Sequence, residues 1–352
     1  MTGELTEAQL RQIFDEQIRP ELYEFGAASR SETTLLLVMV GGQPGAGKSR
    51  AIQRVAAVHP GIVEVIGDDL RSYHPDYRRL MRDDPLQMPA ATAQASGRWV
   101  GMAIEYLRER RRNTLIETTL RQPGVVRRTV AGFRQAGYRT ELHVVAVPVE
   151  VSRLGTISRY VGQVEESGAG RWTPAAAHDT ASAAVSGTVV ELVGAGAIDH
   201  VSIENRRGEA YYEASPQPGE RAEVAQEAAR AIAAAREVAS LPETEARAWL
   251  ETATAAVRAC ALTEQSDSDL LATIGRVVGR DARLVAQAAY PSDPRAQERA
   301  LDVLRAEHRP LAKYALGRRI EREVRRRREA GTSDPEERPH RDRGGPVGRG
   351  SR

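Results

Sequence analysis

The segment Gly42-Gln43-Pro44-Gly45-Ala46-Gly47-Lys48-Ser49 follows directly on the apolar run Leu35–Val40. It satisfies the pattern G-x-x-x-x-G-K-[S/T] in full. That pattern demands a strand, a tight loop and a helix in succession, which the flanking residues supply. The physical reasons are local. Glycines let main-chain N–H groups curl around a phosphate without Cβ clashes, and the helix that starts at the loop turns its positive end toward the anion. Lys48 is the candidate point charge for the outer phosphates. Ser49 offers a hydroxyl to a magnesium ion, so residues 42–49 are the candidate nucleotide cradle. Among 50 basic residues, lysine occurs only at positions 48 and 313. A lysine kept inside the loop indicates that a compact ammonium matters there.

Further apolar runs recur at Ile62–Ile66, Thr114–Ile116, Leu142–Val147 and Val201–Ile203, separated by stretches long enough for crossover helices. This alternation predicts an α/β fold with a parallel sheet covered on both faces. Before it, Leu10, Phe14, Ile18 and Leu22 fall four apart on one face of an expected helix, which Pro20 can kink. After Pro216-Gln217-Pro218-Gly219 the chain turns rich in Ala, Glu and Arg, with helical periodicity. The expected organisation is an N-terminal helical segment (1–32), a phosphate-loop domain (33–215), an all-helical C-terminal extension (220–329) and a disordered basic tail (330–352).

Composition excludes some classes. The net charge is +2, too small for a general nucleic-acid or membrane-surface bias. Cys260 is the single cysteine, so an internal disulfide and a C-x-x-C zinc site are both excluded. No apolar run of about 18 residues exists, and the first residues lack an apolar signal core. A cytoplasmic protein is the expectation.

Carboxylates at the C-terminal ends of parallel strands lie where open α/β sheets bind ligands. Asp68 and Asp69 follow the second run, and either can accept the proton of an attacking hydroxyl. Asp68 can equally cap a helix starting near Leu70. Arg71 and His74 come one turn later as candidates for an anionic substrate. Glu117 ends the third run, where it can hold a substrate hydroxyl or cap the next helix, with Thr119 beside it. Arg159 and Arg171 flank a Gly-rich stretch between two helices, placed as a mobile lid that can offset charge on a transferring phosphoryl group.

Together the segments GGQPGAGKS, DDLRSYHPDY, LIETTLR, GTISRY, GRWTPAAAHD and IENRRGEAYYE resemble, in order and spacing, the zeta toxins, kinases of toxin–antitoxin systems. The resemblance covers about residues 35–213. It implies a P-loop NTPase fold of the nucleotide-kinase type, and ATP- and Mg2+-dependent phosphorylation of the sugar 3′-hydroxyl of UDP-N-acetylglucosamine. It further implies Lys48 and Ser49 as phosphate and magnesium contacts and Asp68 as catalytic base. Glu117 and Thr119 match substrate-binding positions of the family's E-G-T segment, with Thr118 in place of its glycine. Arg159 and Arg171 match arginines acting on ATP phosphates. Asp69, Arg71, His74 and Arg121 complete the substrate-binding candidates. An antitoxin partner is the corresponding expectation. Two alternatives stay open: a kinase for another nucleotide sugar, amino sugar or antibiotic hydroxyl, and an ATP-switched nucleic-acid-binding protein using its basic tail.

Overall fold

The computed structural model describes residues 4–26, 34–262 and 267–331. The tail anticipated as disordered lies, from residue 332 on, outside the described residues. The chain divides into a compact unit, Met1–Leu311, and a second unit, Ala312–Arg352.

The first unit opens with α1 (Glu7–Ile13) and α2 (Arg19–Gly26). The turn between them, Phe14–Ile18, is wound as a π-turn in which Arg19 N–H reaches back to the Phe14 carbonyl. Pro20 has no N–H to give the carbonyl four residues earlier, and the wider turn absorbs the defect without breaking the apolar face. Leu10, Phe14, Ile18 and Leu22 are all buried.

The sheet follows: β1 (Leu36–Gly41), α3 (Lys48–Val58), β2 (Val63–Val65), α4 (Tyr77–Asp83), α5 (Met88–Ala91), α6 (Ala93–Glu109), β3 (Thr114–Thr118), α7 (Pro123–Gln135) and β4 (Arg139–Val145). Then come α8 (Val149–Ser167), α9 (Ala175–Gly194), β5 (His200–Glu204) and β6 (Ala210–Ala214). Strand order is β2-β3-β1-β4-β5-β6. Every pairing is parallel except β5 with β6. The five parallel strands are those expected from the apolar runs. β6 was not anticipated: its sequence AYYEA is half exposed at the sheet edge and carries no continuous apolar signal.

Alternate residues of each strand face opposite layers. Leu37 and Met39 of β1 join one apolar cluster with α6, α7 and α9, and Trp99 Nε1 there donates to the Leu10 carbonyl at 3.0 Å. Leu36, Val38 and Val40 join the other, with α3 and α8.

The C-terminal region is helical, as expected: α10 (Arg221–Ala235), α11 (Glu243–Leu262), α12 (Ser268–Arg276), α13 (Ala282–Ala289) and α14 (Pro294–Gly331). Its apolar faces are shared with the sheet. Val224, Ala228 and Ile232 of α10 enter the first cluster. Trp249, Leu250, Val257, Leu270 and Val285 enter the second, alongside Leu154 and Tyr160 of α8.

Candidate active site

β1 runs straight into the loop, and β3 ends level with it: Val40 pairs with Glu117 and Gly41 with Thr118. Gly45 and Gly47 sit at φ +75° and +100°, a region closed to most side chains. A Cβ on Gly45 would also collide with the Ser152 carbonyl of α8. Gly47 caps α3 without any side-chain hydrogen bond, so the first N–H groups of α3 are free of a side-chain acceptor. That is the cradle an anion requires. Lys48 is buried, and its ammonium donates to the carbonyls of Gly42 (2.9 Å) and Gln43 (3.2 Å). It lies 3.5 Å from Glu117 Oε1. Burial lowers the Lys48 pKa; Glu117 and Asp68 act in the opposite direction. Ser49 is exposed. The donor set and the helix start without a side-chain cap fit a triphosphate with a hydrated cation.

Asp68 lies three residues beyond β2, on the same open edge of the sheet. The segment Asp69–Tyr73 is a single 3₁₀ turn, and Asp68 makes no side-chain cap to it. Its Oδ1 instead forms an ion pair with the Arg171 guanidinium at 2.6 Å and accepts from Arg71 Nε at 3.1 Å. Burial alone would raise the Asp68 carboxyl; Arg171, Arg71 and Arg159 outweigh it and hold the group below the usual carboxylate range. Arg71 is further fixed by the Pro89 carbonyl and Thr92 Oγ1, both at 2.7 Å. His74 is buried, its Nδ1 accepting the Asp76 N–H at 3.1 Å. Asp69 is shifted upward by desolvation and by the charges of Asp68 and Glu117. It borders a cleft of about 450 Å3 whose walls include Ile18, Leu22, Glu64 and Tyr73.

Arg159, on α8, is pushed down to about 10 by burial and by Arg171. One terminal nitrogen donates to Thr173 Oγ1 at 2.5 Å, while its buried Nε has no partner. Arg171 stands in the segment joining α8 to α9, expected from sequence to be a mobile lid. Here that segment is tied down: Arg171 N–H donates to Gln163 Oε1 at 2.9 Å, and Trp172 is buried against Tyr160.

Beyond β3, Thr118 Oγ1 accepts the Leu120 N–H at 3.1 Å. Leu120 adopts φ +55°, strained for a branched residue, and is held by its buried side chain and by Thr188, whose hydroxyl donates to the Leu120 carbonyl at 2.7 Å. This sharp turn follows Glu117 and Thr119 at the strand end. Thr119 is half-buried and Arg121 is exposed.

Sequence reasoning missed two arginines on the loop. Arg206, just past β5, spans the loop's outer side, donating to the carbonyls of Gly45, Ala46 (3.1 Å) and Val151 (3.1 Å). Burial and neighbouring Arg50 push it down to about 10. Its position after a parallel strand, inside the segment IENRRGEAYYE, was the available signal. Arg236, past the end of α10, donates to Gln43 Oε1 at 3.1 Å, while Gln43 Nε2 donates to the Val147 carbonyl at 3.1 Å. Nothing in the Ala-rich sequence around Arg236 marks it.

Comparison with known proteins points to one family. Residues 26–216 match the family described as Zeta toxin. The chain is 27% identical over 208 residues to toxin zeta of Enterococcus hirae, covering 58% of this chain and 73% of that protein. It is 31% identical over 149 residues to toxin PezT of Streptococcus pneumoniae, covering 42% and 58% respectively. Among solved structures, one from the PezAT chromosomal toxin–antitoxin system of Streptococcus pneumoniae superposes with a TM-score of 0.54 at 24% identity, over 64% of this chain and 88% of that one, which bears on the fold. With its phosphate loop on a parallel sheet and more than half its length matched, the chain belongs to the zeta toxin family.

Proposed function

We propose that this protein is an ATP- and magnesium-dependent kinase whose acceptor is the sugar 3′-hydroxyl of UDP-N-acetylglucosamine. The observation that carries the reading is the meeting of Asp68 with Arg171, at 2.6 Å, beside the buried Lys48 ammonium. A carboxylate, a lysine and two arginines at the open end of a phosphate loop are the groups that phosphoryl transfer needs.

ATP bound on the amides of residues 42–49 supplies the phosphoryl group, and the Ser49 hydroxyl would hold the magnesium. Asp68, kept ionised by its arginines, accepts the proton of the attacking hydroxyl. Lys48 exchanges its two carbonyl partners for phosphate oxygens. Arg159, with an unused buried Nε, and Arg171 offset negative charge on the group in transit. Glu117 and Thr119 orient the acceptor, with Asp69 and Arg121 nearby in sequence. Arg71 and His74 shape the wall, since Arg71 is held by the Pro89 carbonyl and Thr92 Oγ1 and His74 Nδ1 accepts the Asp76 N–H. The family's association with antitoxins makes such a protein the expected partner. No helix among the described residues is long and apolar enough to cross a membrane.

Thr118, where the family's E-G-T segment has glycine, favours a second reading: the same chemistry on another hydroxyl substrate. The test is ATP consumption across a panel of nucleotide sugars, amino sugars and aminoglycosides. Acceleration by UDP-N-acetylglucosamine above all others supports the first reading. Acceleration by a different member of the panel supports the second. No acceleration by any of them contradicts both.

A further inference from the structure

Residues 217–311 lie beyond the stretch matched to the family, yet they touch the site at its most position-sensitive part. The segment carrying Arg171 leaves α8 at Gly168 and enters α9 at Ala175. Pro174, the residue that should cap α9, makes no side-chain cap. The missing acceptor comes from α12: Asp269 Oδ2 accepts the Ala175 N–H at 2.9 Å and, on the same oxygen, Trp172 Nε1 at 2.8 Å. A carboxylate at a helix start is favoured by the free N–H groups and the helix dipole. Asp269 is itself oriented by Asp267, whose Oδ1 accepts the Asp269 N–H at 3.1 Å. At the other end of α12, Arg276 pairs with Asp179 of α9 at 2.9 Å. Two anchors therefore fix α12 to α9.

The residues on either side of Trp172 are the ones that matter to the site. Arg171 reaches Asp68, and Thr173 accepts from Arg159. Trp172, 2% exposed, packs edge-on against Tyr160 in the same apolar cluster as Leu270 and Ile274 of α12.

We infer that Asp269 is a positioning residue: through Trp172 and Ala175 it holds Arg171 on Asp68 and Thr173 under Arg159, so that the C-terminal helices complete the phosphoryl-transfer site. This rests on the kinase reading for its catalytic consequence, but its structural part is measurable in the free protein. A displacement of about 1 Å in such a group costs about 100-fold in rate.

The experiment compares wild type with Asp269→Ala, Asp269→Asn and Trp172→Phe, each checked for folding by circular dichroism. Two readouts need no substrate: carbon-13 NMR titration of the Asp68 carboxyl, and amide exchange across 168–175. In Asp269→Ala the Asp68 titration moves upward as Arg171 drifts away, and Ala175 exchanges faster. With ATP and acceptor, kcat falls roughly 10- to 100-fold while nucleotide affinity, carried by residues 42–49, stays. Asp269→Asn keeps an acceptor in place and recovers the larger part of both. Should Asp269→Ala fail to fold, Trp172→Phe decides, since it keeps an aromatic ring, smaller than the indole, and loses the N–H: an upward shift at Asp68 supports the inference, and none overturns it. A folded Asp269→Ala with unchanged Asp68 titration and unchanged exchange also overturns it. A wild type that transfers phosphate to no acceptor defeats the kinase reading, and the two substrate-free readouts still decide this one.

Discussion

The Arg171 guanidinium stands 2.6 Å from Asp68 Oδ1, joining the segment before α9 to the loop after β2. A second arginine, Arg71, holds the same oxygen from the side at 3.1 Å. This carboxylate is thus placed by two cations that cannot lose their charge at ordinary pH. The role proposed for it, accepting the proton of the acceptor hydroxyl, makes the first expectation direct. Asp68→Asn keeps the shape, loses the acceptor for the proton, and should bind nucleotide normally. Transfer should drop by about 10²- to 10⁴-fold, read as product formed under saturating ATP. Lys48→Ala should lower both binding and transfer.

The acid side of the pH profile follows from the same contacts. Asp68 must be ionised to accept a proton, so the rate falls as pH drops through its titration. Arg171, Arg71 and Arg159 place that titration below the usual carboxylate range. The ionised form also favours the fold. That contribution is present above the unfolded-state pKa and is lost as pH falls through the lower folded value. Arg171→Ala should move the acid limb of kcat upward in pH, and Arg171→Lys should restore only part of the shift.

Arg206 makes a prediction about binding alone. Its fork ties three carbonyls together, so that the loop amides face inward before a phosphate arrives. Arg206→Ala should loosen the loop and weaken nucleotide binding roughly 10- to 100-fold, the equivalent of about 1.5–3 kcal/mol for hydrogen bonds to a charged group. Lysine is expected to rescue poorly, since it lacks the planar fork. Calorimetric titration with ATP checks this, and equal affinities in wild type and Arg206→Ala would contradict it.

Most of the candidate site was legible because its residues sit at strand ends. Gly42–Ser49, Asp68 and Glu117 all follow apolar runs, and parallel pairing brings those ends to one edge of the sheet. Leu10, Phe14, Ile18 and Leu22 were legible as a buried face, because four-residue spacing survives even the π-turn that Pro20 imposes. What could not be read were contacts set by tertiary packing alone. Arg236 follows the Ala-rich α10 as its C-cap, and Asp269 sits in the first turn of α12, whose sequence SDLLATIGR carries no binding motif. Their partners, Gln43 and Trp172, are far away in the chain. The edge strand β6 escaped for a related reason: hydrogen bonds to β5 define it more than any buried side chain does.

The C-terminal helices also carry a stability expectation. Arg153 of α8 meets Asp281 at 2.5 Å in a fully buried pair, and Asp281 is raised above its ordinary value by burial despite that partner. Asp281→Ala leaves the Arg153 charge buried with Asp179, at 3.6 Å, as its remaining ion-pair partner among the described residues. About 3–5 kcal/mol of stability should be lost, measured by urea unfolding. A loss below about 1 kcal/mol, the scale of an exposed pair, would show that the pair is not closed in solution.

The most direct measurement is mass spectrometry of UDP-N-acetylglucosamine after incubation with the protein, ATP and magnesium, beside the Asp68→Asn variant. The expected result is the gain of one phosphoryl group on the sugar with wild type and almost none with the variant. An unchanged mass with folded, nucleotide-binding wild type, or equal product from Asp68→Asn, would contradict the central claim.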